Sequence, residues 1–241
     1  MRAGLRAAAA AAALLLVLTD GVAATFGLTP MRVELSATSP TAIVTVNNGG
    51  DAPVTIQVQP YTWTQPGGED VYEETRGFIV SPPIFTIAPG AAQIVRIALR
   101  GKPPAEVEQA YRLIFREVPP AEEAATDRAL FRIALNMNIP MFVEPTGPAV
   151  APKPLWNIAP GPDASWRLVI VNAGTGNLRL APITVSQGET KLAEQDVFVV
   201  LPGSTRTLAL PQERVKPGQS LRVEAQSNGG RVELTLPVAK P

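Results

Sequence analysis

The chain has 241 residues, with 21 basic and 21 acidic side chains, no cysteine and no histidine. The missing cysteine excludes disulfides and thiol chemistry, and the missing histidine excludes Ser-His-Asp triads, His-ligated zinc and the usual general base near neutral pH. Balanced charge argues against a nucleic-acid surface, and 25 prolines and 19 glycines among 46% apolar residues point to a β-protein with many turns.

In chain order, Arg2 and Arg6 precede a nearly unbroken apolar run from Ala7 to Leu18. Val22-Ala23-Ala24 then supplies the small residues that a signal peptidase accepts. The run is short for a hydrocarbon core of about 30 Å. Residues 1–24 therefore read as a cleaved export signal of bacterial style, and the mature chain as soluble, outside the cytoplasm and not inserted in a membrane. Met31, Val33 and Leu35 next alternate with Arg32 and Glu34. Ile43, Val44 and Val46 run to the turn Asn47-Asn48-Gly49-Gly50-Asp51, and Val54, Ile56 and Val58 alternate up to Pro60. Glu69-Asp70, with Glu73 and Glu74, reads as the polar tip of a hairpin rather than as a calcium or carboxylate pair. Ile94, Val95, Ile97 and Leu99 follow Pro89-Gly90, and Tyr111, Leu113 and Phe115 alternate with Arg112 and Arg116. Period-2 runs bounded by Gly, Pro and Asn indicate an antiparallel sandwich. Helical periodicity is nearly absent; one turn is expected over 104–110.

After a polar, Ala-rich stretch at 121–128, expected as a mobile loop, comes Phe131-Arg132-Ile133-Ala134-Leu135-Asn136-Met137-Asn138-Ile139. Phe131, Ile133, Leu135, Met137 and Ile139 share one face. Period-2 logic alone favours the chain's own core for such a row. The alternate positions Ala134, Asn136 and Asn138 are small or polar and fit poorly as a core face. Prolines at 145, 148, 152 and 154 then mark a semi-rigid linker. A second strand-rich segment follows, with runs at 166–171, 198–201, 207–210, 221–223 and 231–236. Trp63, Trp156 and Trp166 are most simply core or hinge packing. The organisation expected is a signal at 1–24, a first sandwich at 25–145, a linker at 146–154 and a second sandwich at 155–241.

Several motifs in order carry a resemblance. They are Leu28-Thr29-Pro30-Met31-Arg32-Val33, the Asn47-Asn48 turn, Ser81-Pro82-Pro83-Ile84-Phe85 through Pro89-Gly90, Arg96, and Phe115-Arg116-Glu117-Val118-Pro119-Pro120, followed by the row on 131–139. The ordered set resembles the periplasmic pilus-assembly chaperones, the PapD-like family. Tyr111-Arg112-Leu113 and Ile139-Pro140-Met141-Phe142-Val143-Glu144-Pro145 are similar to its archaic, Csu-type branch. The resemblance implies an all-β chain of two immunoglobulin-like β-sandwich domains in an L or boomerang arrangement. It implies a non-enzymatic periplasmic chaperone that needs no cofactor and no metal. Its partners are pilin subunits, capped by donor-strand complementation, and an outer-membrane usher; a self-capping oligomer of the free chain is left open. Phe131, Ile133, Leu135 and Met137 would be the donor residues that fill the subunit's groove. Arg32 would anchor the pilin's C-terminal carboxylate, and a cis bond is implied at Pro82. Three positions depart from the better-studied branch. Pro140 stands where that branch has an anchoring Lys, and Arg112 is the cation expected to replace it beside Arg32, with Arg116 a weaker third. Glu144 and Ser227 stand where that branch has an Arg and an acidic residue, so the usual inter-domain salt bridge with Glu117 cannot form. The alternatives are a secreted immunoglobulin-like adhesion or carbohydrate-binding module, and a hydrolase built on a carboxylate pair, for which no motif speaks.

Overall fold

A computed structural model describes residues 26–118, 134–161 and 165–239. The signal at 1–24, the loop at 121–128 and the side chains of Phe131 and Ile133 lie outside the described residues. The first half contains β1 (Phe26–Thr29), β2 (Val33–Leu35), β3 (Thr41–Asn48), β4 (Val54–Thr64), β5 (Val71–Glu74), β6 (Phe78–Ser81), β7 (Ile84–Ile87), β8 (Ala92–Leu99), β9 (Gln109–Glu117) and β10 (Asn136–Val143). One sheet runs β1-β3-β8-β6 and the other β2-β10-β9-β4-β5, with β7 also on β4. The alternation read in the sequence sets the inward faces. Val44, Val46, Val95 and Ile97 of one sheet meet Ile56, Val58, Leu113, Phe115 and Ile139 of the other. Each such buried side chain contributes roughly 1.5–3 kcal/mol. The second half contains β11 (Pro154–Pro160), β12 (Trp166–Asn172), β13 (Leu178–Gln187), β14 (Thr190–Gln195), β15 (Phe198–Val200), β16 (Thr205–Leu210), β17 (Ser220–Ser227) and β18 (Gly230–Pro237). Its sheets, β11-β12-β16 and β14-β13-β17-β18 with β15 on β13, enclose a separate core that includes Leu168, Ile170, Leu180, Val185 and Val223. Both Trp156 and Trp166 pack on that core.

The two sandwiches share a turn device. Asn48, at the end of β3, donates from Nδ2 to the carbonyls of Ala52 and Ile87 and accepts from Gly50 N–H. Asn172, at the end of β12, donates to Gly176 and Val200 and accepts from Gly174 N–H. A buried Asn thus satisfies the backbone groups that a strand leaves open where it turns away.

The structure differs from the expectation in several places. Strands β1, β5, β6 and β7 are four residues each, and only β1 alternates cleanly between buried and exposed positions. No helical turn forms over 104–110. The carbonyls of Pro104 and Ala105 accept from Thr146 and Gly147 N–H instead of from amides further along their own segment, so the strap is irregular and β9 begins at Gln109. The Ser81–Pro82 peptide bond is cis, in agreement with the expectation at Pro82, and Thr29–Pro30 and Ala181–Pro182 are cis in addition.

Candidate functional site

The long hairpin of β9 and β10 defines the site. β2 pairs in parallel with Met141, Phe142 and Val143 only. From Asn136 to Pro140, β10 is bonded to β9 alone, and its other edge carries no strand among the described residues. Glu117 holds the start of this open edge: its N–H donates to Leu135 O at 3.0 Å, and its carboxylate accepts from Leu135 N–H at 3.2 Å. The apolar row divides along its length. Ile139 and Met141 are fully buried, whereas Leu135 and Met137 are half-buried and pack against the same core. The row is therefore the chain's own core at its C-terminal end and only partly covered toward its N-terminal end. Asn136 and Asn138 are exposed on the opposite face.

That opposite face carries the arginines. Pro140 is directly across from Arg112, and Arg112 is across from Tyr61. Arg32 immediately precedes Val33, the partner of Met141, and so lies on the same face beyond Pro140. The two arginines flank the proline at two strand spacings, about 10 Å. Arg32 sits 4.2 Å above the Phe142 ring and Arg112 sits 3.7 Å above the Trp63 ring, and the two rings are 6.1 Å apart. Both cations thus rest on one aromatic pair, an attraction that is strongest where water is excluded. Their surroundings differ. Arg32 Nε already donates to Glu34 Oε1 at 2.7 Å. Arg112 Nε is buried with no hydrogen-bond partner. Burial lowers the Arg112 pKa from its usual value, and nearby Tyr72 and Asp70 oppose that shift. Arg116 also lies on this face, across from Asn136, and is exposed.

The same face meets the second sandwich. Trp63 and Phe142 pack with Leu201, flanked by Val199. Gln65, 5% exposed, bonds to the strand end of β15 as a peptide unit would: its Nε2 donates to Val199 O at 3.0 Å and its Oε1 accepts from Leu201 N–H at 2.9 Å. Asp70 Oδ1 accepts from Trp63 Nε1 and Gln65 Nε2, and Oδ2 faces Arg206 at 3.5 Å. Gly68 lets the hairpin come this close. Its φ is +88°, and a Cβ there would lie 2.9 Å from the Thr205 carbonyl. A second link joins Glu108, 7% exposed, to Asn177, whose N–H and Nδ2 both donate to Glu108 Oε1. Desolvation raises the Glu108 pKa, and the Asn177 bonds and Arg32 offset part of the rise. A cavity of about 330 Å³ opens between these two links, lined by Trp63, Gln65, Glu108, Tyr111, Leu201 and Ser204.

Residues 25–149 match the pili and flagellar-assembly chaperone family, PapD N-terminal domain. The chain belongs to this family. No curated protein matches the sequence. Among solved structures, the chain is similar to one from a chaperone–tip adhesion subunit pre-assembly complex, CsuC–CsuE, of the archaic chaperone-usher Csu pili of Acinetobacter baumannii. The identity there is 21% over 90% of this chain and 100% of that one, with a TM-score of 0.70. It is also similar to the E. coli chaperone DraB, at 20% identity over 88% and 98% of the two chains and a TM-score of 0.63. A third is from the Salmonella enterica SafA pilin in complex with the SafB chaperone, at 17% identity, 88% and 96% coverage and a TM-score of 0.60. These likenesses establish the two-sandwich fold, and the family is one of pilus-assembly chaperones rather than enzymes.

Within this chaperone, other contacts join the domains in place of the missing salt bridge. Glu117 is engaged with the start of β10, and Ser227 bonds within its own turn to Gly230. The domains are instead joined by Gln65, Asp70 with Arg206, and Glu108 with Asn177. Asp70 does lie at the tip of the β4–β5 hairpin, but that tip is docked on the second sandwich rather than left in solvent, and Trp63 is a hinge residue rather than part of either main core. Gln65, Arg206 and Asn177 were not singled out from the sequence. Each is an isolated polar residue whose partner lies far away along the chain, so no local spacing marks it.

Proposed function

We propose that this chain is a periplasmic chaperone that caps pilus subunits by donor-strand complementation and hands them to an outer-membrane usher. The observation that carries the reading is the unpaired edge of β10 from Asn136 to Pro140, with half-covered Leu135 and Met137 beside it. A strand edge of this kind offers a row of main-chain donors and acceptors to an incoming strand. The apolar side chains Phe131, Ile133, Leu135 and Met137 fill the groove of the incomplete subunit. Arg32 and Arg112 receive its terminal carboxylate, and the Phe142–Trp63 pair beneath them keeps both guanidinium groups fixed. Pro140 and the Tyr111-Arg112-Leu113 motif support placing the chain in the archaic branch. The domain limits follow the same reading: a signal at 1–24, a capping domain at 25–145, a linker at 146–154 and a second sandwich at 155–241.

The test is capture of a pilin co-expressed in the periplasm. Leu135→Asp is expected to stay folded by circular dichroism and to lose the pilin on co-purification. A Leu135→Asp protein that retains the pilin, or one that unfolds, removes the donor role from this side chain.

A further inference from the structure

The arginine proposed as an anchor and the contact between the domains are built from the same side chains. Arg112 lies 3.7 Å over Trp63 and 5.8 Å from the Tyr72 ring. The indole N–H of the same Trp63 donates to Asp70 Oδ1 at 2.8 Å, and Asp70 Oδ2 faces Arg206 of the second domain at 3.5 Å. Arg112 is acted on electrostatically by Asp70 and Arg206 together. Trp63 thus joins the two: Arg112 lies on its ring, Asp70 takes its indole N–H, and the same carboxylate faces Arg206 of the other domain. The Asp70–Arg206 contact is longer than the roughly 2.7–2.9 Å of a close charge-assisted bond, which leaves it room to tighten.

We propose that Asp70 is a positioning residue that couples the anion occupancy of Arg112 to closure of the inter-domain latch. This rests on the reading of Arg112 as a carboxylate anchor. An anion that neutralises Arg112 cancels its through-space pull on Asp70 and relieves the repulsion between the two arginines. The latch tightens. By linkage, tightening the latch favours the anion by the same factor. A subunit that delivers its terminus correctly would then stiffen the two-domain frame, and one that does not would leave it loose.

The chain has no native cysteine, so two introduced ones report on the full protein without background. Spin labels at Ala37→Cys and Glu189→Cys, both exposed and on different sandwiches, give the inter-domain distance distribution. Arg112→Gln is expected to narrow that distribution and Asp70→Asn to broaden it, since an Asn that still accepts from Trp63 and Gln65 turns its amide donor toward Arg206. A purely structural role for Arg112, as a support for Trp63, predicts broadening in Arg112→Gln; broadening or no change there overturns the coupling. Arg112→Met, which keeps the stem on Trp63, replaces Arg112→Gln if that variant does not fold. An eight-residue alternating Val–Thr peptide with a free carboxylate is expected to raise the latched-to-open ratio of the native chain about five-fold or more, and its C-terminal amide to leave it unchanged. Equal effects of acid and amide overturn the link to an anion. Pilin retention by Arg112→Gln tests the anchor separately. Narrowing with full retention leaves the coupling standing and removes the anchor role; lost retention without narrowing does the reverse.

Discussion

Truncating Gln65 removes the most completely bonded contact between the two domains. Three hydrogen bonds disappear in Gln65→Ala, but their loss is unequal. Val199 O keeps a bond from Arg206 Nη1 at 3.3 Å, and Asp70 keeps Trp63 and Arg206. Leu201 N–H, which donates to Gln65 Oε1 at 2.9 Å in a buried setting, is left with nothing. An orphaned buried donor costs about 1–3 kcal/mol. The one methylene removed, Cγ, from a site that is 5% exposed adds about 0.8 kcal/mol. The total expected loss is about 2–4 kcal/mol, confined to the contact between the domains. Urea unfolding followed by tryptophan fluorescence reads this directly, because Trp63 reports on the hinge while Trp156 and Trp166 report on the second core. The expected outcome is an earlier Trp63 transition that separates from the unfolding of the second sandwich. Gln65→Glu sharpens the test. Its shape is preserved and it can still accept from Leu201, but it has no proton for Val199 O and places a second carboxylate against Asp70. It is expected to lose at least as much at pH 7 and to recover part of the loss as the pH falls toward 4. A Gln65→Ala midpoint within about 0.5 kcal/mol of the native one, the range of ordinary surface changes, refutes the latch.

Arg32→Ala is expected to abolish pilin accumulation in the periplasm while changing stability by less than about 1 kcal/mol, because its pairing with Glu34 is solvent-accessible; an unchanged pilin level rules out the anchor. Glu108→Gln tests the second inter-domain link by its pH dependence. Burial raises the Glu108 pKa, so the folded chain holds a proton that the unfolded chain releases; the stabilisation is complete below the unfolded value of about 4.3 and is lost as pH rises through the folded one. The Gln variant still accepts both Asn177 bonds without that loss, so it should exceed the native stability at pH 7.5 and equal it near pH 3.5; parallel curves across this range contradict the buried-carboxylate account. Gly68→Ala combines a positive φ with a Cβ 2.9 Å from Thr205 O and is expected to widen the inter-domain distance distribution without melting either sandwich; a normal distribution would mean that the hairpin approach is not constrained.

Strand alternation was readable from residues such as Val44, Val46, Leu113 and Phe115 because a side chain on a strand faces in or out according to parity alone, and that parity is local. The same rule places Arg32 and Arg112 on the face opposite the core. Local pattern also marks the proline-rich stretch around Pro148 and Pro152 between the two sets of strand runs. It could not tell where along the row from Leu135 to Met141 burial begins, since that depends on where β2 stops covering the edge of β10. Nor could it foresee Gln65 bonded to β15, Asp70 facing Arg206, or Glu108 under Asn177. Those contacts join residues 69 to 136 positions apart, and a hydrogen bond formed at such a separation leaves no periodic trace in either partner. Short-range parity decided what each strand buries; the docking of one sandwich on the other, through polar groups that become valuable only once water is excluded, was decided by the tertiary structure alone.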